Sequence, residues 1–398
     1  MQHETRKISI VSFPFFSHSI KIECISRKLL LISAAIAVYI LCIKQSIEIE
    51  KVANYLNDGQ VRVYVLNDTI NDTTTHRSTN VSLSLLIRQN SSLWNVLLND
   101  TRNKSLALFY RHATDHRNTS YPFISGDTFR AFADHIFDET TTVATWANTI
   151  ENMTDGTIVF LKADMFQQFF SLFNTINCSF VLITHNSDYS APTNYKSYLN
   201  DSRLLAWFAQ NPDTQHSKLY PIPIGLANTR WPQGNLNTLT FAFYNQRRSF
   251  ANRQILLYVN FKIDTNAGER TNVLNHAKTI QKAHIVQQKI SFSTYLDDVG
   301  NSKFVLSPQG NGLDCHRTWE ALLMGAIPIV HTSELDFLFR DLPVVIVKSW
   351  SEISENYLLS LNFTQFDNSI TRILLAKYWY SRLISFTNRS SALDLFKT

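Results

Sequence analysis

Arg317, Glu320 and His316 fall inside one short stretch, Ser307–Val330 (SPQGNGLDCHRTWEALLMGAIPIV), whose residue types suit the handling of an anion. The apolar run Phe304-Val305-Leu306 just before it is short enough for a buried strand. The loop Ser307–Gly312 then supplies glycines and an asparagine that adopt positive φ at little cost. Asp314 stands where it would cap a helix, Gly325 where that helix would end, and Ile327–Val330 reads as the next strand. In such a β–loop–α–β unit the free N–H groups and the dipole of the helix N-terminus converge on a place suited to a phosphate. Arg317 adds a guanidinium fork there, backed by the N–H groups of Gly310, Asn311 and Gly312. Arg270 and Lys262, beyond an earlier strand, offer a second cation. Glu320, one turn past His316 on the same helix face, offers a carboxylate suited to hydroxyl groups. Trp319, Leu322, Leu323 and Ala326 take the core face. Structural roles compete with each of these. Arg317 could pair with Glu320 or Asp314, and His316 could be a packed loop residue. Asp314 reads as a cap before it reads as a catalyst, and Arg270 could be an ordinary solvated helix charge.

The elements that would position these groups form two α/β sets. In the first, Ser125-Gly126-Asp127-Thr128 is a capping sequence before a helix through Phe129–Phe137. Thr157–Leu161 is a strand, Ala163–Phe173 a helix and Phe180–Thr184 a second strand, which makes a parallel βαβ unit. The second strand runs into His185-Asn186-Ser187-Asp188, polar residues where open α/β sheets bind ligands. Ser202–Gln210 reads as a short helix, and Leu219–Ile224 as an extended segment. Gly225–Phe250 connects the sets. The second set has a strand at Ile255–Val259, a helix entered near Glu269-Arg270, and helices at Phe292–Asp298 and Leu335–Phe339. A strand at Val344–Val347 and helices over Ser351–Leu359 and Asn368–Ser385 complete it.

Ahead of both sets the chain has a different texture. Leu29–Ile43 is an uninterrupted apolar segment with Lys21, Arg27 and Lys28 before it and Lys44 after it. It falls short of the ~20 residues of an ordinary span, but snorkelling lysines and a thin bilayer extend its reach. Positive residues on its N-terminal side give a single-pass anchor with the N-terminus in the cytoplasm. A cleaved signal peptide with Ala35-Ile36-Ala37 at its cleavage site is the rival, and its leading region would be unusually long. Seven N-glycosylation sequons fall between Asn67 and Asn118, and none between Asp201 and Leu361. That distribution fits a glycosylated lumenal stem before a compact part. The expected organisation is a cytoplasmic tail (1–28), an anchor (29–43) and a stem (44–115). An N-terminal domain (116–245) and a C-terminal domain (246–398) follow. Within the stem, Val61–Leu66 could be a strand and Ser82–Leu98 a weak helix. Cys178 and Cys315 would face an oxidising lumen, either paired or as two buried thiols. A net charge of +5 without a basic stripe gives no reason to expect nucleic acid. No Cys/His spacing and no Asp-X-Asp suggests a metal.

The ordered run Ser-Pro-x-Gly-x-Gly-x-Asp-x-His-Arg-x-Trp-Glu-Ala-Leu-x-x-Gly-x-Ile-Pro-Ile-Val resembles the donor-binding region of exostosin-like glycosyltransferases. The close match covers Ser307–Val330, and the flanking α/β pattern extends it loosely over 120–390. The resemblance implies a GT-B fold, a pair of Rossmann-type domains with a cleft between them. It also implies a type II membrane enzyme of the Golgi or endoplasmic reticulum. Such an enzyme moves a sugar from a nucleotide-sugar co-substrate, UDP-linked by expectation, to a glycan or glycoprotein acceptor. Glu320 would hold the donor ribose, while Arg317, Gly310, Asn311, Gly312, His316, Arg270 and Lys262 would hold its diphosphate. Where the wider GT-B pattern has an acidic residue eight positions upstream of the glutamate, this chain has Gly312. An inverting transfer without a metal or other cofactor then needs a base in the N-terminal domain. Asp127, His185 and Asp188 are its candidates, and Asp127 could instead cap its helix. Two other readings stand beside this one: a non-catalytic lumenal protein that binds a glycan or partner on the same fold, and a Rossmann-type sugar-phosphate enzyme. The latter lacks a Gly-x-Gly-x-x-Gly and leaves the anchor unexplained.

Overall fold

The computed structural model describes residues 7–12, 19–24, 63–65, 111–114, 116–366 and 371–387. Residues 1–89 and 90–398 are separate units. In the first, β1 (Lys7–Ser12), β2 (Ser19–Cys24) and β3 (Val63–Val65) pair antiparallel in that order. The strand expected at Val61–Leu66 is thus present in part, whereas β1 and β2 were not expected in a cytoplasmic tail. The apolar segment Leu29–Ile43 and the weak helix Ser82–Leu98 lie outside the described residues. Among the described residues no helix is long and apolar enough to cross a membrane.

The second unit holds two five-stranded sheets, both wholly parallel. The first runs in sequence order through β4 (His135–Phe137), β5 (Thr157–Lys162), β6 (Phe180–His185), β7 (Leu204–Ala209) and β8 (Leu219–Pro221). Helix α1 (Gly126–Phe132) precedes it, opened by Ser125, whose side chain accepts the Thr128 N–H. The helix expected through Phe137 stops at Ala133, because Asp134 docks on Ile158 through its backbone N–H at 2.8 Å and its carboxylate at 2.9 Å. The next three residues therefore become edge strand β4. The helix expected over Ser202–Gln210 is also a strand. Leu204–Ala209 is a continuous apolar run buried on both faces, a pattern that periodicity alone does not separate from a buried helix.

Helices α2 (Val143–Glu151) and α3 (Phe166–Ser171) cover one face of this sheet, with Trp146, Phe169, Phe170 and Trp207 in the core between them. Helix α4 (Leu236–Asn245) follows β8 and packs against α6 (Phe292–Gly300) of the second set.

The second sheet runs β10 (Ala283–Ile285), β9 (Ile255–Val259), β11 (Ser302–Leu306), β12 (Ile327–His331) and β13 (Val345–Val347). Helix α5 (Ala267–Ala277) leads from β9 towards β10, and α7 (His316–Leu323) joins β11 to β12. Because β10 and β11 lie on opposite sides of β9, the strand order reverses there. A crevice opens at such a point beyond the strand ends. Short helices α8 (Asp336–Phe339) and α9 (Glu355–Ser360) follow. The last helix, α10 (Ala376–Ile384), returns to the first set: Trp379 packs on Phe129 and Tyr380 on Phe132. The Ile124 N–H also donates to Leu374 O at 2.9 Å. The α/β fold with two parallel sheets is therefore as expected. Two segments cross the expected 245/246 boundary, since α4 leans on the second set and α10 on the first. One apolar core runs continuously between the sheets.

Candidate functional site

The turn after β9 and the loop after β11 meet at the point where the strand order reverses. Arg317, in the first turn of α7, donates from Nε to Asn260 O at 2.8 Å. Arg270, on α5, donates to Gln309 O at 2.8 Å, Lys262 O at 2.6 Å and Pro308 O at 3.5 Å. Both guanidinium groups lie over Phe261, at 5.5 Å (Arg317) and 5.7 Å (Arg270) from the ring centroid. Among the described residues neither enters a salt bridge. Burial first, and then the Arg317 charge, holds the Arg270 pKa below its ordinary value. Two buried or half-buried cations thus share one ring, and neither has a carboxylate within ion-pair distance among the described residues. Cys315, the residue that opens α7, gives it no side-chain cap, although its carbonyl accepts the Thr318 N–H at 3.0 Å.

Asp314 does not cap the helix as expected. Its Oδ2 accepts the Trp319 indole N–H at 2.7 Å and the Ile224 N–H at 2.9 Å. Oδ1 is buried without a hydrogen-bond partner, and burial pushes the carboxyl up to about 6. Asp314 is thus a tie between α7 and the segment after β8. Glu320 pairs with neither arginine. It is buried, its Oε2 accepts the Tyr295 hydroxyl at 2.8 Å, and burial raises its pKa to about 7 despite the nearby Arg317 charge.

The loop is folded back on itself, for Gly310 donates its N–H to Gly312 O at 3.2 Å, so that group is already committed. Gly312 lies against Asn211, and a Cβ there would stand 2.5 Å from Asn211 Oδ1. That same oxygen accepts the Leu313 N–H at 2.9 Å. Asn311 reaches the first set, donating from Nδ2 to Asp188 Oδ2 at 3.0 Å. Lys262 is exposed, and its carbonyl rather than its ammonium group carries its recorded role. Cys178 and Cys315 are both free thiols.

Beside this crevice, at the ends of the first sheet, lies a cavity of about 290 Å³ lined by Lys162, Asp164, His185, Asp188, Arg230 and His316, among others. His185, Asp188 and His316 therefore share one cavity, although sequence assigned His316 to the donor. The Nε2–H of His185 donates to Pro223 O at 3.0 Å and its Nδ1 accepts the Asn186 N–H at 2.7 Å. Both nitrogens are engaged, and burial lowers its pKa to about 4. Asp127 is buried behind this wall. Its Oδ1 accepts Asn186 Nδ2 at 3.0 Å, its Oδ2 lacks a partner, and burial raises its pKa against the Arg117 and Arg230 charges. It does not cap α1, a role that Ser125 fills. Asp188 is exposed at the cavity mouth.

Sequence reading missed Asn260, Phe261, Tyr295, Asn211 and Arg230. Asn260-Phe261 directly follows β9, and the rule that singled out His185–Asp188 after β6 would have found it. The others reach the site from distant parts of the chain, and no local pattern marks them. Among the described residues no cluster of three or more His, Cys, Asp or Glu side chains could hold a metal ion.

Comparison with known proteins bears mainly on the second set. No curated protein matches the chain. A solved structure, "Crystal structure of GtfA/B complex", aligns over 61% of this chain and 60% of its own, at 10% identity and a TM-score of 0.33. The chain thus spans less than two thirds of that protein, a likeness too distant to bear on function. Residues 265–388 match the family model described as RXYLT1 C-terminal domain. That range contains Arg270, the Gly310–Gly312 loop, Arg317 and Glu320, and over it the chain is similar to an exostosin-like xylosyltransferase family.

Proposed function

We propose that this protein is a glycosyltransferase that passes a sugar from a nucleotide-sugar donor to a glycan or glycoprotein acceptor. The observation that carries the reading is the pair Arg270 and Arg317 over Phe261, in no salt bridge among the described residues, at the crevice beyond β9 and β11. A diphosphate is the group such a place stabilises as it departs. Arg317 supplies the fork and the N-terminal end of α7 the dipole. Arg270 shapes the loop beneath and adds its charge. Glu320, with one oxygen on Tyr295, offers the other towards the donor ribose. The acceptor occupies the cavity between Asp188 and His316. Its hydroxyl oxygen bonds to the donor anomeric carbon while the bond from that carbon to the phosphate oxygen breaks. The diphosphate leaves with the electron pair, the hydroxyl proton passes to a base, and the anomeric configuration inverts. Neither a metal nor a cofactor is required by this scheme. A UDP-pentose is the first donor to test, given the family that 265–388 resembles.

The test is turnover of a panel of UDP- and GDP-sugars, with UDP binding followed by calorimetry. Arg317→Ala should abolish the binding. If wild-type protein binds no nucleoside diphosphate and hydrolyses no donor, the proposal is wrong. The non-catalytic reading gains from one observation, the sequestration of His185 and Asp127. Binding of UDP without turnover of any donor would favour it.

The reading includes an N-terminal anchor at 29–43 in the Golgi or endoplasmic reticulum, with 44–398 lumenal. A spanning segment puts β2 and β3 on opposite sides of the bilayer, whereas their pairing needs both on one side. Protease protection of an N-terminal tag in sealed microsomes separates the two arrangements. Digestion of the tag from outside supports the anchor, and protection excludes it.

A further inference from the structure

We infer that His316, rather than a residue of the first set, is the base that accepts the proton from the acceptor hydroxyl. This inference rests on the glycosyl-transfer reading above. A base needs a lone pair at the acceptor cavity, next to where the leaving group is held. The sequence-based candidates do not combine these. His185 has both nitrogens engaged, and Asp127 is buried behind Asn186. Asp188 reaches the cavity, but it stands exposed at its mouth with one oxygen on Asn311.

His316 meets both requirements. Its Nδ1 lies 2.8 Å from Gly225 O. A carbonyl only accepts, so Nδ1 carries the hydrogen and the lone pair of the neutral ring is on Nε2. No hydrogen bond engages Nε2 among the described residues, and the ring lines the cavity. The carbonyl of Gly225, at φ +72°, fixes tautomer and ring plane together, as a positioning partner does for a catalytic imidazole. Burial lowers the His316 pKa, which keeps the ring neutral and able to accept at ordinary pH. Arg317 is the next residue, and it sits in the crevice where the diphosphate would depart. Base and leaving-group cation thus come from one turn of α7. The transfer balances: Nε2 takes the hydroxyl proton as the new bond forms, and the diphosphate carries away the electrons of the broken bond.

The other charged or titratable groups lining this cavity are Lys162, Asp164, His185, Asp188 and Arg230. Their contributions are separated by comparing His316→Gln with Asp188→Asn across pH 5–9, once a donor is known to turn over. Gln can still donate to Gly225 O, so the fold should persist, and an unchanged melting temperature verifies this. His316→Gln is expected to bind UDP within about twofold of wild type and to lose 10²–10⁴-fold in kcat. The fall in kcat/KM on the acid side, present in wild type, should vanish from its residual activity. Asp188→Asn should keep that acid limb whatever its rate. The inference is overturned if His316→Gln turns over at a wild-type rate, or if Asp188→Asn is the variant that loses the acid limb. Absence of both UDP binding and turnover in wild type would instead sink the glycosyl-transfer reading itself, and this inference with it.

Discussion

His316 and Arg317 are neighbours in the first turn of α7, yet each is fixed by a carbonyl from a different half of the molecule. His316 Nδ1 is 2.8 Å from Gly225 O, in the segment after β8, and Arg317 Nε is 2.8 Å from Asn260 O, just after β9. The start of this helix therefore links the cavity at the first sheet to the crevice at the second. Asp314 and Leu313, immediately before it, are tied to Ile224 and Asn211 of the first half. Displacing the loop that feeds α7 should disturb both functions at once.

Gly312→Ala tests this coupling. The added Cβ would approach Asn211 Oδ1 to 2.5 Å, and Asn211 has little freedom because it holds the Leu313 N–H at φ +53°. Overpacking of this kind costs about 1–3 kcal/mol. The expected result is a melting temperature lowered by several degrees, weaker UDP binding and a kcat reduced at least tenfold. Unchanged calorimetry and kinetics would mean that the loop does not position α7.

Much of this arrangement could be read in the chain, for identifiable reasons. The β11–loop–α7–β12 unit was legible because an apolar run, a glycine loop and an amphipathic helix succeed one another without interruption. Gly325 marks the helix end by adopting φ +71°, the conformation that favours glycine there. The strand at Leu204–Ala209 was not legible, because a six-residue apolar run lacks a period and only pairing with β6 and β8 makes it extended. Asp314 misled for another reason. A carboxylate ahead of a helix is ordinarily a cap, and only the tertiary fold brings Ile224 and the Trp319 indole to it. The engagement of His185 was hidden for a similar reason: the backbone of Pro223 and Asn186 takes both ring nitrogens, and sequence carries no sign of that.

Arg270→Ala and Arg270→Lys separate charge from architecture. Arg270 is 4% exposed and donates to three carbonyls on two loops. Alanine leaves those acceptors unsatisfied, at about 1–3 kcal/mol for each one that stays buried. Lysine restores the charge but not the planar fork, so it should recover only a small part of the stability. Both variants are expected to unfold at lower denaturant concentration than Arg317→Ala, which forfeits one carbonyl bond and a weak bond to Cys315 Sγ. Full rescue of stability by lysine would contradict an architectural role for the fork.

Asn311→Ala should behave in the opposite way. Its bond to Asp188 joins two exposed side chains, and exposed contacts of this kind contribute about 0–1 kcal/mol. Stability should therefore hardly change. Asp188 at the cavity mouth loses its partner from the Gly310–Gly312 loop, so on the proposed function the acceptor KM should rise severalfold while UDP affinity stays near wild type. A large fall in the melting temperature would show that the contact does structural duty instead.

Glu320→Gln yields a pH-dependent difference with a defined sign. Burial raises the Glu320 pKa from 4.5 to about 7, against the stabilising Tyr295 hydroxyl and Arg317 charge. Between these values the folded protein keeps a proton that the unfolded chain releases. Stability contributed by the protonated form is complete below about pH 4.5, declines as pH rises, and is lost above about 7. Glutamine mimics the protonated carboxyl and its Oε1 can still accept from Tyr295. The variant should match wild type at pH 4.5 and exceed it at pH 8, by at most about 3 kcal/mol. Asp314, raised to about 6, titrates in both proteins and cancels from the comparison. Donor affinity should move the other way, since an amide replaces the carboxylate that would accept the ribose hydroxyls. Melting curves at the two pH values and UDP calorimetry at pH 8 supply the readouts. Equal melting-temperature differences at both pH values would show that Glu320 does not titrate in this window.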